Sequence, residues 1–556
     1  MINTHTACLA VLMLLATLLC AGVQAAMAAE QTLTMSVGGS MGENATDPTV
    51  SKTLKPGLGG CQEYHFYTHF SPLITLDSDS NVIPWMAESY EPSDNYKAIT
   101  FHLRKGVKFA DGTPLNASVL KFNFDRILAY GFPGNTLPIF ATYDHSEAVD
   151  EYTFKLCFTQ GWLDMPHALT TAYMYGVFIN PEDVDPAWDI KGSLKPDKMY
   201  NGLGPYYVDE NESTPKEKVV LKRRSSWRDD LDFHKPKLDQ IVLTYIDDPQ
   251  VAVMALEKGD IDYICRYWNA PLDSLPKLEE NPKISIKTSP ESLEYFIWIA
   301  YWKEPFNGTD GILLRKAICY ALNRTEMVEG AFNGYALPAT DAIYLTPRKP
   351  DSPECCHRGY DYDLDKAKKL LAEAGWNDTD GDGILDKNGK PLKSLDFVVT
   401  TSSDLGWQKD LALVVQSQLK KIGIDVNVKP LDWAGFSGAR KAGDFDMIMY
   451  YNVGNLYTCA QELEGFNGKE AYINIYENQN KTLETIVENA HDTTNKEELG
   501  TYLCQACNIL YEEAGIIPLV YKEQYAVMDI KVKEWQLGPS QNARMLDHVE
   551  EWQVED

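Results

Sequence analysis

The stretch Trp85–Arg126, WMAESYEPSDNYKAITFHLRKGVKFADGTPLNASVLKFNFDR, carries three kinds of local signal in one run. Ile99, Phe101 and Leu103 alternate with polar neighbours, the pattern of a strand buried on one face. Arg104-Lys105-Gly106 predicts a turn, and Val107 and Phe109 resume the alternation as a return strand. Asp111-Gly112 predicts a second turn, because glycine accepts positive φ without a Cβ penalty. Asn116 then stands at an N-cap position, ahead of a helix whose apolar face is Val119, Leu120, Phe122 and Phe124.

A different pattern appears in the C-terminal half. Leu395–Thr400 (LDFVVT) reads as a strand, and residues 408–422 as a helix with Leu411, Val414, Val415, Leu419 and Ile422 on one face. Gly423 stops that helix, and Ile424, Val426 and Val428 alternate as the next strand. Strand, helix, strand in that order predicts a parallel crossover. Upstream, Asp365 is expected to cap the helix KAKKLLAEA and Gly375 to end it. The second half is therefore α/β, while the region around residue 100 is α+β.

The chain has 556 residues, 44% of them hydrophobic, more than one core holds, so two or three domains are expected. Its formal charge of −29 is repelled by phosphate backbones, which argues against a nucleic-acid partner; the same charge also serves simple solubility. Cys8–Val23 is an apolar run without acidic residues, followed by Ala25, Ala26, Ala28 and Ala29, so residues 1–29 read as a secretory signal peptide. No later segment has about 18 consecutive apolar residues. Cys20 in LLCAG lacks the small residue usual before a lipidated cysteine, so a soluble exported protein is favoured over a lipid-anchored one. Nine cysteines remain beyond the signal, and an oxidising compartment predicts that some pair, without fixing which.

Motifs for chemistry are sparse. There is neither a metalloprotease H-E-x-x-H nor a Walker loop, and GFSGA at Gly435–Ala439 places its second glycine one position too early for a nucleophile elbow. The segment NDTDGDGILDKNG puts Asp378, Asp380, Asp382 and Asp386 at calcium-loop positions 1, 3, 5 and 9, but Gly389 stands where the bidentate acid belongs. A structural calcium loop and a polar hairpin turn both fit. ECCHR (Cys355, Cys356, His357) favours disulfides over a metal, and CQAC (Cys504, Cys507), inside a helical pattern, favours a disulfide or buried pair over a redox centre. CQEYHFYTH places Cys61, Glu63, His65 and His69 on one face of a strand, open to ligand contact or packing.

With these motifs in order, the chain resembles the family 5 extracellular solute-binding proteins, the peptide/nickel class that serves ABC importers. The resemblance is carried by Thr100, Phe101, Leu103, Arg104, Gly106 to Phe109, Asp111, Gly112, Pro114 and Ala117 of the opening stretch. It continues through NGLGPYYV (201–208), VAVMALEKGDIDYI (251–264), LRKAICYALNRTEMVEGAFNGYALPA with Asn323 where Asp is usual, YDLDKAKKLLAEAGW, GDFDMIMYY and YEEAGIIPLVY.

The resemblance implies an α/β bilobal periplasmic-binding-protein fold with mixed sheets flanked by helices, an extra inserted subdomain and a hinge between lobes. It implies lobe I from 30–72, 201–290 and 515–556, the inserted subdomain from 73–200, and lobe II from 291–514. The expected function is capture of a peptide-like ligand or nickel–chelate complex by lobe closure and delivery to an ABC permease. The protein would be a periplasmic monomer that needs no cofactor and holds nickel only as part of its ligand. A secreted hydrolase and a sensory ligand-presenting protein are the rivals.

Peptide-binding members carry a cleft Asp in a W-x-A-D-Y context, and FDMIMYYNVGNLYTC (445–459) has neither that Trp nor that Asp. The nickel branch is closer: Gly454 and Tyr457 match it, although Val453 replaces its Trp and no matching chelate-binding Arg is found. Tyr450, Tyr451, Asn452 and Tyr457 are the resulting cleft candidates, with Glu63 and His65 on the opposite lip and Met447 and Met449 turned away from Ile448 and Tyr450.

Overall fold

The computed structural model describes residues 31–37, 71–76, 81–129, 142–171, 178–198, 200–214, 217–225, 236–264, 270–339, 341, 353–401, 407–453, 463, 480–534 and 552–555. The expected signal peptide, residues 1–29, lies outside them. The chain opens on β1 (Thr32–Val37), then builds a separate four-stranded layer from β2 (Ala87–Pro92), β3 (Ala98–Leu103), helix α1 (Ala117–Ala129), β4 (Tyr143–Ala148) and β5 (Thr153–Phe158). Strand order in that layer is β2-β3-β5-β4, all antiparallel. Its core joins the inward residues of the opening stretch, Ile99, Phe101 and Leu103, to Leu120 and Phe124 of α1.

The expected return strand is corrected. Val107 and Phe109 are buried, but β3 pairs with β2 upstream and β5 downstream. The 107–109 arm folds on residues 113–115 instead: Phe109 N donates to Thr113 O (2.8 Å) and Leu115 N to Val107 O (2.8 Å). Gly112 at the tip has φ +91°, the conformation its lack of a Cβ permits. Asn116 caps as expected, its side chain accepting from Val119 N at 3.0 Å.

The chain then enters the main sheet through β6 (Tyr206–Val208), β7 (Lys218–Arg223), β8 (Gln240–Tyr245) and β9 (Tyr263–Ile264). The 16-residue β10 (Ile284–Ile299) follows, then α2 (Gly308–Ala321), α3 (Arg324–Phe332) and α4 (Leu364–Glu373). After these come β11 (Leu395–Thr400), α5 (Trp407–Lys420), β12 (Val426–Leu431), α6 (Trp433–Ala442), β13 (Met447–Val453), α7 (Lys481–Asp492), α8 (Lys496–Glu513) and β14 (Ile516–Asp529). The sheet order is β6-β7-β8-β1-β9-β14-β10-β13-β11-β12.

β11 and β12 are parallel across α5, the predicted crossover, and Gly423 with φ +81° ends the helical turn before β12. The cap of α4 is Asp363, whose side chain accepts from Lys366 N; Asp365, the expected cap, lies in the first turn instead. The crossover packs into one lobe with two cores, one on each sheet face: Ile297, Phe397 and Met449 line the first, Phe296, Ile448 and Leu503 the second. Leu33, Leu243 and Met528 belong to the core at the other end of the sheet. β10 and β14 connect the two ends, pairing antiparallel from Ile284↔Asp529 to Trp298↔Ile516, with a register shift between Pro290 and Glu294. The fold is the bilobal α/β arrangement with its additional layer.

Vicinal Cys355 and Cys356 pair with Cys504 and Cys507 of α8, as Cys355–Cys504 and Cys356–Cys507. The two cysteine motifs of the sequence are thus halves of one double cross-link. Cys157 and Cys319 are free.

Candidate functional site

Two sequence motifs meet where the added layer joins the first lobe. Asp111 of the DG turn and Asn201 of NGLGPYY bond reciprocally: Asp111 N donates to Asn201 Oδ1 (3.0 Å) and Asn201 Nδ2 to Asp111 Oδ2 (2.9 Å). Asn201 Nδ2 also reaches Asp183 Oδ2 at 2.5 Å. Arg224 threads the same junction, donating to the carbonyls of Gly202, Gly204, Lys108 and Phe109. Burial lowers its pKa to about 10 although Asp111 opposes that shift. The Asp111 carboxyl is partly desolvated, yet Thr113, Lys198 and Asn201 outweigh this and lower its pKa, whereas burial raises that of Asp183. The opening stretch thus meets Asn201 and Arg224 through the residues between its strand and its helix, Lys108, Phe109 and Asp111.

Two buried arginines of the LRKAICYALNR motif brace the second lobe. Arg315 donates to the carbonyls of Glu513 and Phe306. Arg324 donates to Pro518 O (2.9 Å), Tyr360 O (3.0 Å), Leu322 O (3.2 Å) and Cys319 O (3.3 Å), tying the end of α2 to β14. Burial lowers its pKa, while Cys319 and the buried Glu294 of β10 favour its charged form. Asn323 takes over the capping its usual Asp would perform, accepting from Glu326 N at 3.2 Å.

The added layer also touches the second lobe. The rings of Trp162 and His491 lie 4.7 Å apart, Leu163 N donates to Thr493 O at 3.3 Å, and Gln160 Nε2 bonds the Asp492 carboxylate. Leu163 packs against the core that includes Leu499 and Leu503. Chain order hides this contact, since Gln160 and Asp492 are 332 residues apart.

The family model described as "Bacterial extracellular solute-binding proteins, family 5 Middle" matches residues 81–472. This chain belongs to that family. The family 5 chain is 27% identical over 429 residues to the nickel-binding periplasmic protein of Escherichia coli (strain K12), covering 74% of this chain and 77% of that one. It is 26% identical over 494 residues to the oligopeptide-binding protein AppA of Bacillus subtilis (strain 168), covering 87% and 86%. In three dimensions it is similar to NikA from Brucella suis in complex with Fe(III)-EDTA, at TM-score 0.79 and 22% identity over 94% of this chain and all of that one. Members of the family are periplasmic solute-binding proteins rather than enzymes. Among the described residues no helix is long and apolar enough to cross a membrane.

Within this family 5 framework the expected ligand residues separate. Tyr450 is 1% exposed and sits in the second-lobe core, its ring parallel to Phe436 of α6 and under the Arg440 guanidinium, so here it packs rather than lines an open surface. Tyr451 is half-buried on the opposite sheet face beside Tyr295, with ring centroids 5.7 Å apart. Asn452 pairs through its backbone with Glu294 of β10. Tyr457, Glu63 and His65 lie outside the described residues, as do Cys61 and His69. Met447 and Met449 face one core and Ile448 and Tyr450 the other, as the alternation predicts.

The acidic loop is only partly assembled. Asp378, Asp380 and Asp382 bring carboxylate oxygens within 4.8 Å of one another. Asp386 is corrected out of that set: it is buried, and its carboxylate accepts from Thr379 N (3.0 Å) and Thr379 Oγ1 (2.7 Å), which lower its pKa. The bridge Asn377↔Asp386 turns it inward. Asp378 is engaged by Gly381 N and Gly383 N, so the loop closes on its own backbone as a polar turn. A calcium ion needs six to eight oxygens. Asp378, Asp380 and Asp382 supply part of such a shell, and Gly389 stands where a bidentate acid would add to it.

Proposed function

We propose that this protein is the substrate-binding component of an ABC importer, closing its two lobes over a nickel–chelate complex or peptide-like ligand and handing it unaltered to a membrane permease. The observation that carries the reading is the two-point linkage of the lobes. β10 and β14 join them as a continuous strand pair, and the Gln160–Leu163 segment reaches across to His491–Thr493. A strand pair with two register shifts, at Pro290–Glu294 and Tyr295–Phe296, is suited to bending, and a small polar contact opposite it is suited to making and breaking. Ligand held between such lobes is shielded from water without any chemistry being done on it.

A nickel chelate is favoured over a free peptide. Residues 447–459, after Asp446 whose carboxylate pairs with Lys303, contain no Asp or Glu to neutralise a peptide ammonium, and burying an unpaired ammonium costs several kcal/mol, of order 3–5. Likeness to the nickel-binding protein of E. coli points the same way. Native mass spectrometry of the protein purified from its own host, with metal analysis, tests this. Nickel with a small organic chelator supports the reading, a mixture of short peptides replaces it with peptide import, and a cleaved ligand overturns binding without chemistry.

A further inference from the structure

The added layer carries a second constellation, on β4 and β5, that shares no residue with the lobe contact and is independent of the proposed cargo. β4 is the edge strand, and it pairs with β5 so that His145 stands opposite Cys157 and Glu147 opposite Lys155. His145 and Glu147 are two apart on one strand, so both project from one face, and Cys157 joins them there. The Cys157 thiol donates to Glu147 Oε1 at 3.6 Å, and His145 Nε2 lies 3.2 Å from the same oxygen. The ligand atoms of all three residues lie within 4.8 Å of one another.

The two spacings to Glu147 Oε1, 3.2 and 3.6 Å, are close to the edges of a small tetrahedron. Metal bonds of about 2.0–2.3 Å to nitrogen, oxygen and sulfur at tetrahedral angles put ligand atoms about 3.3–3.7 Å apart. His145 is also oriented for such a role. Its Nδ1 is bonded to Asp144 Oδ2 at 2.8 Å, which orients the ring with Nε2 toward Glu147 and Cys157. The register shift between Tyr143 and His145 lets adjacent Asp144 and His145 both reach the solvent side. Lys155 Nζ, 3.6 Å from Glu147 Oε1, supplies the positive charge the cluster otherwise lacks.

We propose that His145, Glu147 and Cys157 form a three-ligand site for a borderline divalent transition-metal ion such as Zn²⁺, with Asp144 as the partner that positions the imidazole and water as the fourth ligand. On binding, the Cys157 thiol proton and the His145 Nε2 proton, which otherwise faces Glu147, both leave to solvent, and the thiolate and the imidazole nitrogen join the metal. Lys155 swings away as the ion takes over its charge. The thiolate and imidazole select against calcium and magnesium, which prefer oxygen. Cys157 is 8% exposed while His145 stays half-exposed, so the ion would enter from solvent and cross-link the edge strand to its neighbour.

The test is Co²⁺ titration of the full processed protein, read by absorption. One equivalent should give an intense thiolate-to-metal band in the near ultraviolet and the visible bands of a tetrahedral ion, and Zn²⁺ should bleach both. Cys157→Ser and His145→Ala should each abolish the thiolate band. Asp144→Asn should keep it but weaken affinity about 10–100-fold. Asp382→Asn, in the acidic loop, should change nothing. Absence of the band, or its persistence in Cys157→Ser with normal circular dichroism, overturns the site. Because the site shares no residue with the lobe contact, binding of nickel–histidine complex by Cys157→Ser reports on the cargo reading separately.

Discussion

Removing one of the two disulfides should cost far less than removing both. Cys355–Cys504 and Cys356–Cys507 span 149 and 151 residues. In the chain-entropy account, closing a loop of that length destabilises the unfolded state by about 5 kcal/mol at 25 °C. Once one bridge is made, the other closes a ring of only about five residues, through the 355–356 and 504–507 steps, worth about 2 kcal/mol. Cys355→Ala with Cys504→Ala should therefore lose about 2 kcal/mol, and the quadruple alanine variant about 7 kcal/mol plus the packing of Cys356 and Cys507. The outer pair is the cleaner choice, because Cys356 and Cys507 are buried in the second-lobe core. Urea unfolding without reductant measures both values, and the quadruple variant should also show a larger m-value as its denatured chain expands. If losing the outer pair alone costs about 5 kcal/mol, the bridges act independently and the shared-loop reasoning fails.

Arg324→Met should destabilise the second lobe by about 3–5 kcal/mol, since it removes a buried charge that Glu294 favours and the donor to the Pro518 and Tyr360 carbonyls; thermal and urea unfolding measure it. At the layer junction two carboxylates should respond oppositely to pH. The lowered folded pKa of Asp111 means its stabilisation is present above the ordinary carboxylate pKa and is lost as pH falls through the folded value, so Asp111→Asn should be less stable than wild type at neutral pH and converge with it in acid. Asp183, raised by burial, contributes stability only in its protonated form and loses it as pH rises through the folded value, so Asp183→Asn should be the more stable protein at neutral pH; a pH series of urea midpoints reads both signs. Asp492→Ala should weaken cargo affinity about fivefold, about 1 kcal/mol, by lowering the closed fraction, and calorimetry with the compound recovered from the native protein measures it; unchanged affinity would remove the Gln160–Asp492 contact from closure.

Local chemistry was readable in the sequence wherever neighbours in the chain decide it. The alternation of Ile99, Phe101 and Leu103, the Asn116 cap and the parallel crossover around α5 all depend on a few consecutive residues. The errors arose where a distant partner intervened. Val107 and Phe109 pair within their own loop because β2 and β5 already occupy both edges of β3. Asp386 looked like a calcium ligand by position, but a bridge to Asn377 turns it inward. Tyr450 has the size and hydroxyl of a ligand contact, and only the packing of α6 over the sheet shows that its face is covered. Pairing of vicinal cysteines with a helical C-x-x-C, and of Gln160 with Asp492, follows from tertiary proximity that no spacing rule encodes.

That both lobes hang on one continuous pair of strands has a mechanical consequence. A flexible linker resists motion through entropy, but β10 and β14 resist it as an elastic ribbon, with ladder hydrogen bonds on both sides of the Pro290–Glu294 shift. In the proposed closure, the work of drawing the halves together includes the bending of this ribbon. A substitution at that shift could retune how tightly cargo is held without altering any atom that meets it.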